Sequence, residues 1–354
     1  MLNIFHRQNS GLGLEIGNAA IKVLELKKIG GNYKLIGRRR EKLPKNAVID
    51  GEIKNEQQII ETMKKAVKHA KPKAIKSQNV AFALPENKTF IKTFQIKKSA
   101  KEKQEKLITT EIEKYIPLSI YDVYFDWQII KTTLTDLIIF FAACPKKIID
   151  SYQNIILKAG FMAQIFDLEA AVEARALIAQ KSNPKDGASM ICDIGKTKTL
   201  LIICDNNNIY FTKTTFGISG DVFTKTIAEA LAIKETEAEK IKITCCSPKM
   251  SNKERQTLTA LHSALDNLAF EINKVSDYFQ NRYKGAKKIN KILLCGGGAA
   301  TIGIAKYLAL KSRKKVKIGN PWVNIPLHAP LPLDITESLA FTKTIGLALR
   351  AANL

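Results

Sequence analysis

The sequence predicts an α/β protein made of a duplicated domain, with a strand-helix-strand-strand subdomain inserted into the first copy. The duplication is read from a repeat. Glu15-Ile16-Gly17, the apolar IKVLEL, a GGN turn and the strand-like YKLIG recur as Asp193-Ile194-Gly195, TLLIIC, a DNNN turn and IYFTKT. Two meanders of the same build mark one unit used twice. Each then runs into helix-forming sequence, NEQQIIETMKKAVKHA after the first and SGDVFTKTIAEAL after the second. Length agrees, since 354 residues are too many for one core.

Between the copies, NVAFALP reads as a strand and leads into TFIKTFQI, then the helix SAKEKQEKLITTEIEKYIP. Ser99 and Glu102 have the spacing of a capping box, Ile108, Ile112 and Tyr115 share one helix face, and Pro117 is the stop. YDVYFDWQII alternates Val123, Phe125, Trp127 and Ile129 against Asp122, Tyr124, Asp126 and Gln128, the pattern of a half-buried strand, and DLIIFFAAC is a fully apolar one. A helix PKKIIDSYQNIILKAG, a strand FMAQIFDLE and a helix EAAVEARALIAQ follow, and the SNPKDG turn is the expected hinge. The second half holds a long helix from Arg255 to Tyr283, a strand KILLC, the GGG run, a helix ATIGIAKYLAL, a strand VKIGNPW and a terminal helix TESLAFTKTIGLALRAA. The expected division is 1–84 with 159–185 as the first domain, 85–158 as the insert, and 186–354 as the second domain.

Composition narrows the function classes. No stretch reaches the roughly 18 uncharged apolar residues of a membrane span, and MLNIFHRQNSG is too polar for a signal peptide, so a cytoplasmic protein is expected. The six cysteines show no metal-ligand spacing and read as reduced thiols. The net charge of +23 attracts anions, but the lysines and arginines are spread along the chain and are not gathered in one aromatic-studded segment. A direct nucleic-acid role is therefore not expected, while a general attraction to an anionic membrane surface stays open.

The chemistry sits in the repeat. A strand ending in an acid, one residue, then a glycine and a tight turn brings backbone N–H groups close to a phosphate, and the carboxylate holds Mg²⁺ or its water shell. One copy alone is equally a tight hairpin with a solvated acid. Two copies at matching positions would face each other across an interdomain cleft. The third element, ILLCGGGAATIGIAKYL, runs a strand into Gly296, Gly297 and Gly298 and then a helix, which suits an adenosine and its α-phosphate.

In this order the three elements resemble the actin-like ATPase superfamily, whose fold is a duplicated ribonuclease H-like domain. Glu15 to Ala19 looks like the first phosphate loop, Asp193 to Thr199 the second, and Ile292 to Ile302 the adenosine motif. DLEAAVEARAL and AFTKTIGLALRAA look like the two helices that form the hinge. The inserted module, YIPLSIYDVYFDWQII, VKIGNPWVNI and ETEAEKIK resemble the PilM family of type IV pilus assembly proteins, related to FtsA.

That resemblance implies ATP and Mg²⁺ as cofactors. Asp193 would orient the metal and its water, Gly195, Lys196 and Thr197 would hold β- and γ-phosphates, and Gly17 and Asn18 would hold them from the other side. Gly296, Gly297 and Gly298 would lie against the adenosine, with Glu239 and Lys242 near ribose and base. The superfamily usually has Asp where this chain has Glu15. The extra methylene pushes the carboxylate further out, so Glu15 is expected to hold Mg²⁺ through water and to support at most slow hydrolysis. The implied partner is the cytoplasmic N-terminal segment of a PilN-type inner-membrane protein, docked near Tyr115 to Trp127, with Tyr124 as the contact candidate and Trp127 as a sheet-packing residue. Membrane attachment through that partner, and self-association biased by nucleotide, complete the expectation of a scaffold peripheral to the inner membrane. An FtsA-like division or cytoskeletal protein is the alternative. A sugar-kinase-type phosphotransferase fits less well, because no carboxylate base and acceptor-binding cluster is visible.

Overall fold

A computed structural model describes residues 10–180, 187–205, 208–243, 251–283, 286–327 and 332–353. The expected hinge turn at 182–187 and the pair Cys245 and Cys246 fall largely or wholly outside them. The chain divides into two compact units: Met1–Ala176 with Ile325–Pro332 and Lys343–Leu354, and Leu177–Asn324 with Leu333–Thr342.

The first unit opens with strands β1 (Ser10–Ile16), β2 (Ala20–Ile29) and β3 (Asn32–Lys42), the small hairpin β4 (Val48–Ile49) and β5 (Glu52–Ile53), and helix α1 (Glu56–Lys68). Asn55 caps α1 by accepting from the Gln58 N–H at 3.1 Å, and Ile59, Ile60, Met63 and Ala66 form its buried face. After β6 (Lys71–Pro72) and β7 (Asn79–Leu84) comes the insert: β8 (Phe90–Lys97), α2 (Lys101–Glu113), β9 (Val123–Thr132) and β10 (Asp136–Pro145). Helix α3 (Lys146–Lys158), β11 (Met162–Leu168) and α4 (Glu169–Leu177) return to the main sheet, whose order is β11-β7-β1-β2-β3-β6.

The second unit holds β12 (Ala188–Ile194), β13 (Thr199–Asp205), β14 (Asn208–Thr215), α5 (Gly220–Leu231), α6 (Glu235–Lys242), α7 (Asn252–Ala260), α8 (His262–Arg282), β15 (Ile289–Cys295), α9 (Ile304–Ser312), β16 (Lys315–Ile318), α10 (Ile335–Ala340) and the first residue of α11 (Thr342–Ala351). Its sheet order is β14-β13-β12-β15-β16. The duplication is explicit in the two sheets. In each, a three-strand antiparallel meander is extended from its first strand by two parallel strands, β7 and β11 in one copy and β15 and β16 in the other. β12 and β13 are buried along their whole length, as strands covered on both faces should be.

The C-terminal helix departs from the expected division. Residues 343–354 belong to the first unit, although 186–354 reads as one domain in the sequence. The reason is a chain of close approaches: a Cβ on Gly13 would lie 2.3 Å from the Thr344 carbonyl oxygen, and one on Gly346 would lie 2.1 Å from that of Val172. Glycines in β1 and α11 thus let that helix lie directly on the strand and on α4. Ion pairs fasten the same contact, Arg175 and Arg350 to buried Asp167 at 2.9 and 2.8 Å and Lys343 to Glu169 at 2.9 Å.

Three local expectations also shift. The helix of the insert starts at Lys101 with Ala100 at its N-cap and no side-chain cap, so Ser99 is not the capping residue; the side chain of Glu102 lies outside the described residues. The 255–283 helix is two helices that meet at Leu261. In β9, a register shift opposite Ile138 and Ile139 puts Ile130 into the core, and Ile129 is exposed instead. Phe125 is exposed too, because β9 is an edge strand and the one helix α2 covers only Val123 and Trp127 beside Ile108 and Ile112.

Candidate functional site

Both acid-containing turns close in the same way. In the first unit the Gly17 N–H donates to the Ala20 carbonyl at 3.1 Å, and in the second the Gly195 N–H donates to the Lys198 carbonyl at 2.9 Å. The equivalence read from sequence is therefore an equivalence of backbone geometry. Asp193 is 5% exposed at the end of β12, while Lys196 and Thr197 point the turn outward and are exposed. Helix α5 begins on this turn: the Gly220 N–H donates to the Gly195 carbonyl and the Asp221 N–H to the Lys196 carbonyl, each at 2.9 Å. Two of the free amides of a helix start are thereby spent on holding the loop in place.

The glycine run lies against the same strand end. β15 runs parallel to β12 with Cys295 beside Asp193. Gly296 has φ 77° and ψ 168°, and a Cβ there would sit 2.0 Å from the Asp193 Oδ1. A Cβ on Gly298 would sit 2.3 Å from the Ile194 Cγ2. Gly297 differs, being exposed with no atom within 4 Å of its missing Cβ. The protein itself thus requires glycine at two of the three positions, and at the third only an external group would. The helix expected straight after the run begins later: one 3₁₀ turn spans Gly297–Ala300, and α9 starts at Ile304 with Gly303 at φ 67°.

Helix α6 ties these parts together through Lys242. Its ammonium is almost fully buried and donates to the Gly220 carbonyl at 2.9 Å, the Thr224 hydroxyl at 2.7 Å and the Glu239 carboxylate at 2.6 Å. All three ammonium hydrogens are used. The Lys242 carbonyl accepts from the Ile302 N–H at 3.1 Å, which anchors the segment after the glycine run. Burial pushes the Glu239 carboxyl up, but hydrogen bonds from Lys242 and Thr224 outweigh it and hold the pKa below the usual range. In the second unit, then, Asp193, Gly195 to Thr197, Glu239, Lys242 and Gly296 to Gly298 form one connected cluster.

Glu15, Gly17 and Asn18 belong to the first unit. Glu15 lies opposite Lys22 across the β1–β2 ladder and accepts from its ammonium at 3.0 Å, and its other oxygen accepts from the Thr344 hydroxyl at 3.2 Å. Neither Lys22 nor Thr344 was singled out from sequence. Lys22 was within reach, because closing a hairpin at Gly17 and Ala20 pairs position 15 with position 22. Thr344 was not, because its approach depends on glycines in β1 that read as ordinary strand residues. With its charge already met by Lys22, Glu15 fits a hydrated metal better than a directly bound one. Among the described residues no group of three or more His, Cys, Asp and Glu side chains is placed to hold a metal ion by itself.

The profile of the type IV pilus assembly protein PilM family matches residues 13–352. The chain belongs to the PilM family. Among solved structures it is similar to a PilM-PilN type IV pilus biogenesis complex, with TM-score 0.81 and 22% identity over 98% of this chain and 99% of that one. It is also similar to the ethanolamine utilization protein EutJ from Carboxydothermus hydrogenoformans, at TM-score 0.57 and 15% identity over 96% of this chain and 89% of that one. A third similar structure is MreB5 of Spiroplasma citri bound to AMPPNP, at TM-score 0.53 and 15% identity over 96% of this chain and 95% of that one. These likenesses establish the duplicated actin-like fold. Membership of a PilM family makes the FtsA-like and sugar-kinase alternatives unfavoured.

In the PilM-family insert, Trp127 packs against the subdomain core, as expected for a sheet residue. Tyr124 is 48% exposed; its hydroxyl donates to Asp150 at 3.3 Å and the Lys146 ammonium lies 5.4 Å from its ring centre. Tyr121 is 83% exposed. No helix among the described residues is long and apolar enough to cross a membrane.

Proposed function

We propose that this PilM-family chain is an ATP-binding scaffold of a type IV pilus or related assembly platform, cytoplasmic and held at the inner membrane by a PilN-type protein. The observation that carries the reading is the family match over nearly the whole chain, joined to a full-length likeness to a chain solved in a PilM-PilN complex. The exposed Tyr121 and Tyr124 on the insert supply amphipathic contact area for the partner's N-terminal segment. Gly195, Lys196 and Thr197, with Gly17 and Asn18, are the phosphate-holding residues; Asp193 and Glu15 hold Mg²⁺ through water; Gly296 to Gly298 lie against adenosine. Bound Mg-ATP supplies a compact anionic group whose affinity differs between protein conformations, and that difference biases partner binding and self-association.

Calorimetry with Mg-ATP and capture of a PilN-type peptide test this together. We expect Asp193→Asn to weaken Mg-ATP binding by tenfold or more, about 1.4 kcal/mol, and peptide capture to change with nucleotide. Absence of Mg-ATP binding in the wild type, or capture indifferent to both nucleotide and the variant, would overturn it.

Glu15→Asp tests the catalytic part. The shorter side chain withdraws from Lys22 and Thr344 and leaves its carboxylate to the metal's water shell, so the ATPase rate should rise by about tenfold, the effect of roughly 1.4 kcal/mol on the barrier. A rate unchanged or lowered, measured by phosphate release, would show that Glu15 does not limit hydrolysis.

A further inference from the structure

The β3–β6 edge of the first unit's sheet concentrates the chain's charge. The segment Asn32–Lys42 carries five cations, Lys34, Arg38, Arg39, Arg40 and Lys42, against the one acid Glu41. Residues 64–77 carry six lysines and no acid. The fold places the two side by side: Arg38 pairs with Lys71 in the ladder, and the Lys73 N–H donates to the Ile36 carbonyl at 3.2 Å. Glu41 is already shared by Arg39 and Lys65, each at 2.9 Å. Lys34, Arg40, Lys42, Lys71 and Lys73 are exposed and have no ion pair among the described residues. A lysine or two suffices to keep an edge strand from pairing with another chain. This edge carries far more, and its crowded like charges repel one another unless an anionic surface covers them.

We propose that this edge binds the anionic headgroups of a lipid bilayer directly, in addition to any attachment through a partner. On one face of the ladder the alternate residues Arg38, Arg40 and Lys42 stand about 7 Å apart with Lys71 beside Arg38, an array that suits a planar surface with many mobile negative charges. Nucleic acid is the less suitable polyanion: the two basic segments hold one Phe, Tyr or Trp, Tyr33, and it is buried, so neither segment offers such a ring for stacking single-stranded bases.

The test is cosedimentation of the full chain with phosphatidylcholine vesicles, with and without phosphatidylglycerol. Binding should require phosphatidylglycerol and fall as salt rises. The triple variant Arg40→Glu, Lys42→Glu, Lys73→Glu should lose more than about tenfold in vesicle affinity. The control Lys101→Glu, Lys103→Glu, Lys106→Glu on α2 changes net charge equally and should lose far less. The neutral variant Arg40→Gln, Lys42→Gln, Lys73→Gln should fall between wild type and the reversal while melting as the wild type does. Equal losses in the two reversal variants would reduce the effect to bulk charge and overturn the proposal. Binding to phosphatidylcholine alone, or duplex DNA held more tightly than anionic vesicles at the same salt, would overturn it too.

Discussion

Gly296→Ala should lower the thermal stability of the second unit sharply, whereas Gly297→Ala should leave it unchanged. At φ 77° and ψ 168°, Gly296 occupies a region that is almost closed to residues with a side chain, costing about 1–3 kcal/mol. The added methyl would also lie 2.0 Å from the Asp193 Oδ1 and 2.6 Å from the Ile194 carbonyl oxygen, and neither has room to give in a buried strand. A combined loss of about 3 kcal/mol or more corresponds to a fall of roughly 6–12 °C in melting temperature for a unit of this size. Gly297 has open space around its missing Cβ and lies outside the left-handed region, so alanine there costs the fold nothing the structure shows. The two variants therefore separate folding from binding. If adenosine lies on this backbone, Gly297→Ala weakens Mg-ATP binding with an unchanged melting curve. Melting curves from differential scanning calorimetry and nucleotide titrations decide both halves, and a Gly297→Ala protein that melts early would contradict the geometry.

The repeat shows how much of this was legible in the sequence. Glu15-Ile16-Gly17 and Asp193-Ile194-Gly195 announced the duplication because a hairpin closed by a glycine N–H and a carbonyl three residues on leaves a local trace, and both closures are present. The parallel strands that complete each copy were visible as apolar runs, although their order in the sheet is non-local. What was hidden depended on approach between distant segments. Gly11 and Gly13 read as ordinary strand residues, and only the helix packed on them explains why residues 343–354 join the first unit. Ile130 displaces Ile129 because a bulge reverses the alternation near the C-terminal end of β9, and no residue type signals it.

Lys242 shows the same limit at the candidate site. Its spacing from Glu239 was legible, but a lysine facing a ligand and a lysine facing the protein look alike in sequence. In the structure its ammonium is committed to Gly220, Thr224 and Glu239. It holds the start of α5, and α5 in turn holds the Gly195 turn.

Lys242→Met should accordingly lower the stability of the second unit. Removing a buried cation that serves three acceptors takes one donor from the Gly220 carbonyl, which keeps the Thr224 hydroxyl, and leaves the half-exposed Glu239 without its counter-charge, a loss of about 1–3 kcal/mol. ATP affinity should fall as well, since the loop that α5 positions loses its support, but the melting temperature should fall first and in the absence of nucleotide. Glu239→Gln gives the companion measurement. Glu239 has a lowered folded pKa, so its charged form contributes stability that is fully present above the ordinary value of 4.5 and is lost as pH drops through the lower folded value. The melting temperatures of wild type and Glu239→Gln should therefore differ at neutral pH and converge as pH falls below that range. A direct ligand role for the ammonium would give the opposite pattern: Lys242→Met would melt as the wild type does without nucleotide and differ only in its response to Mg-ATP.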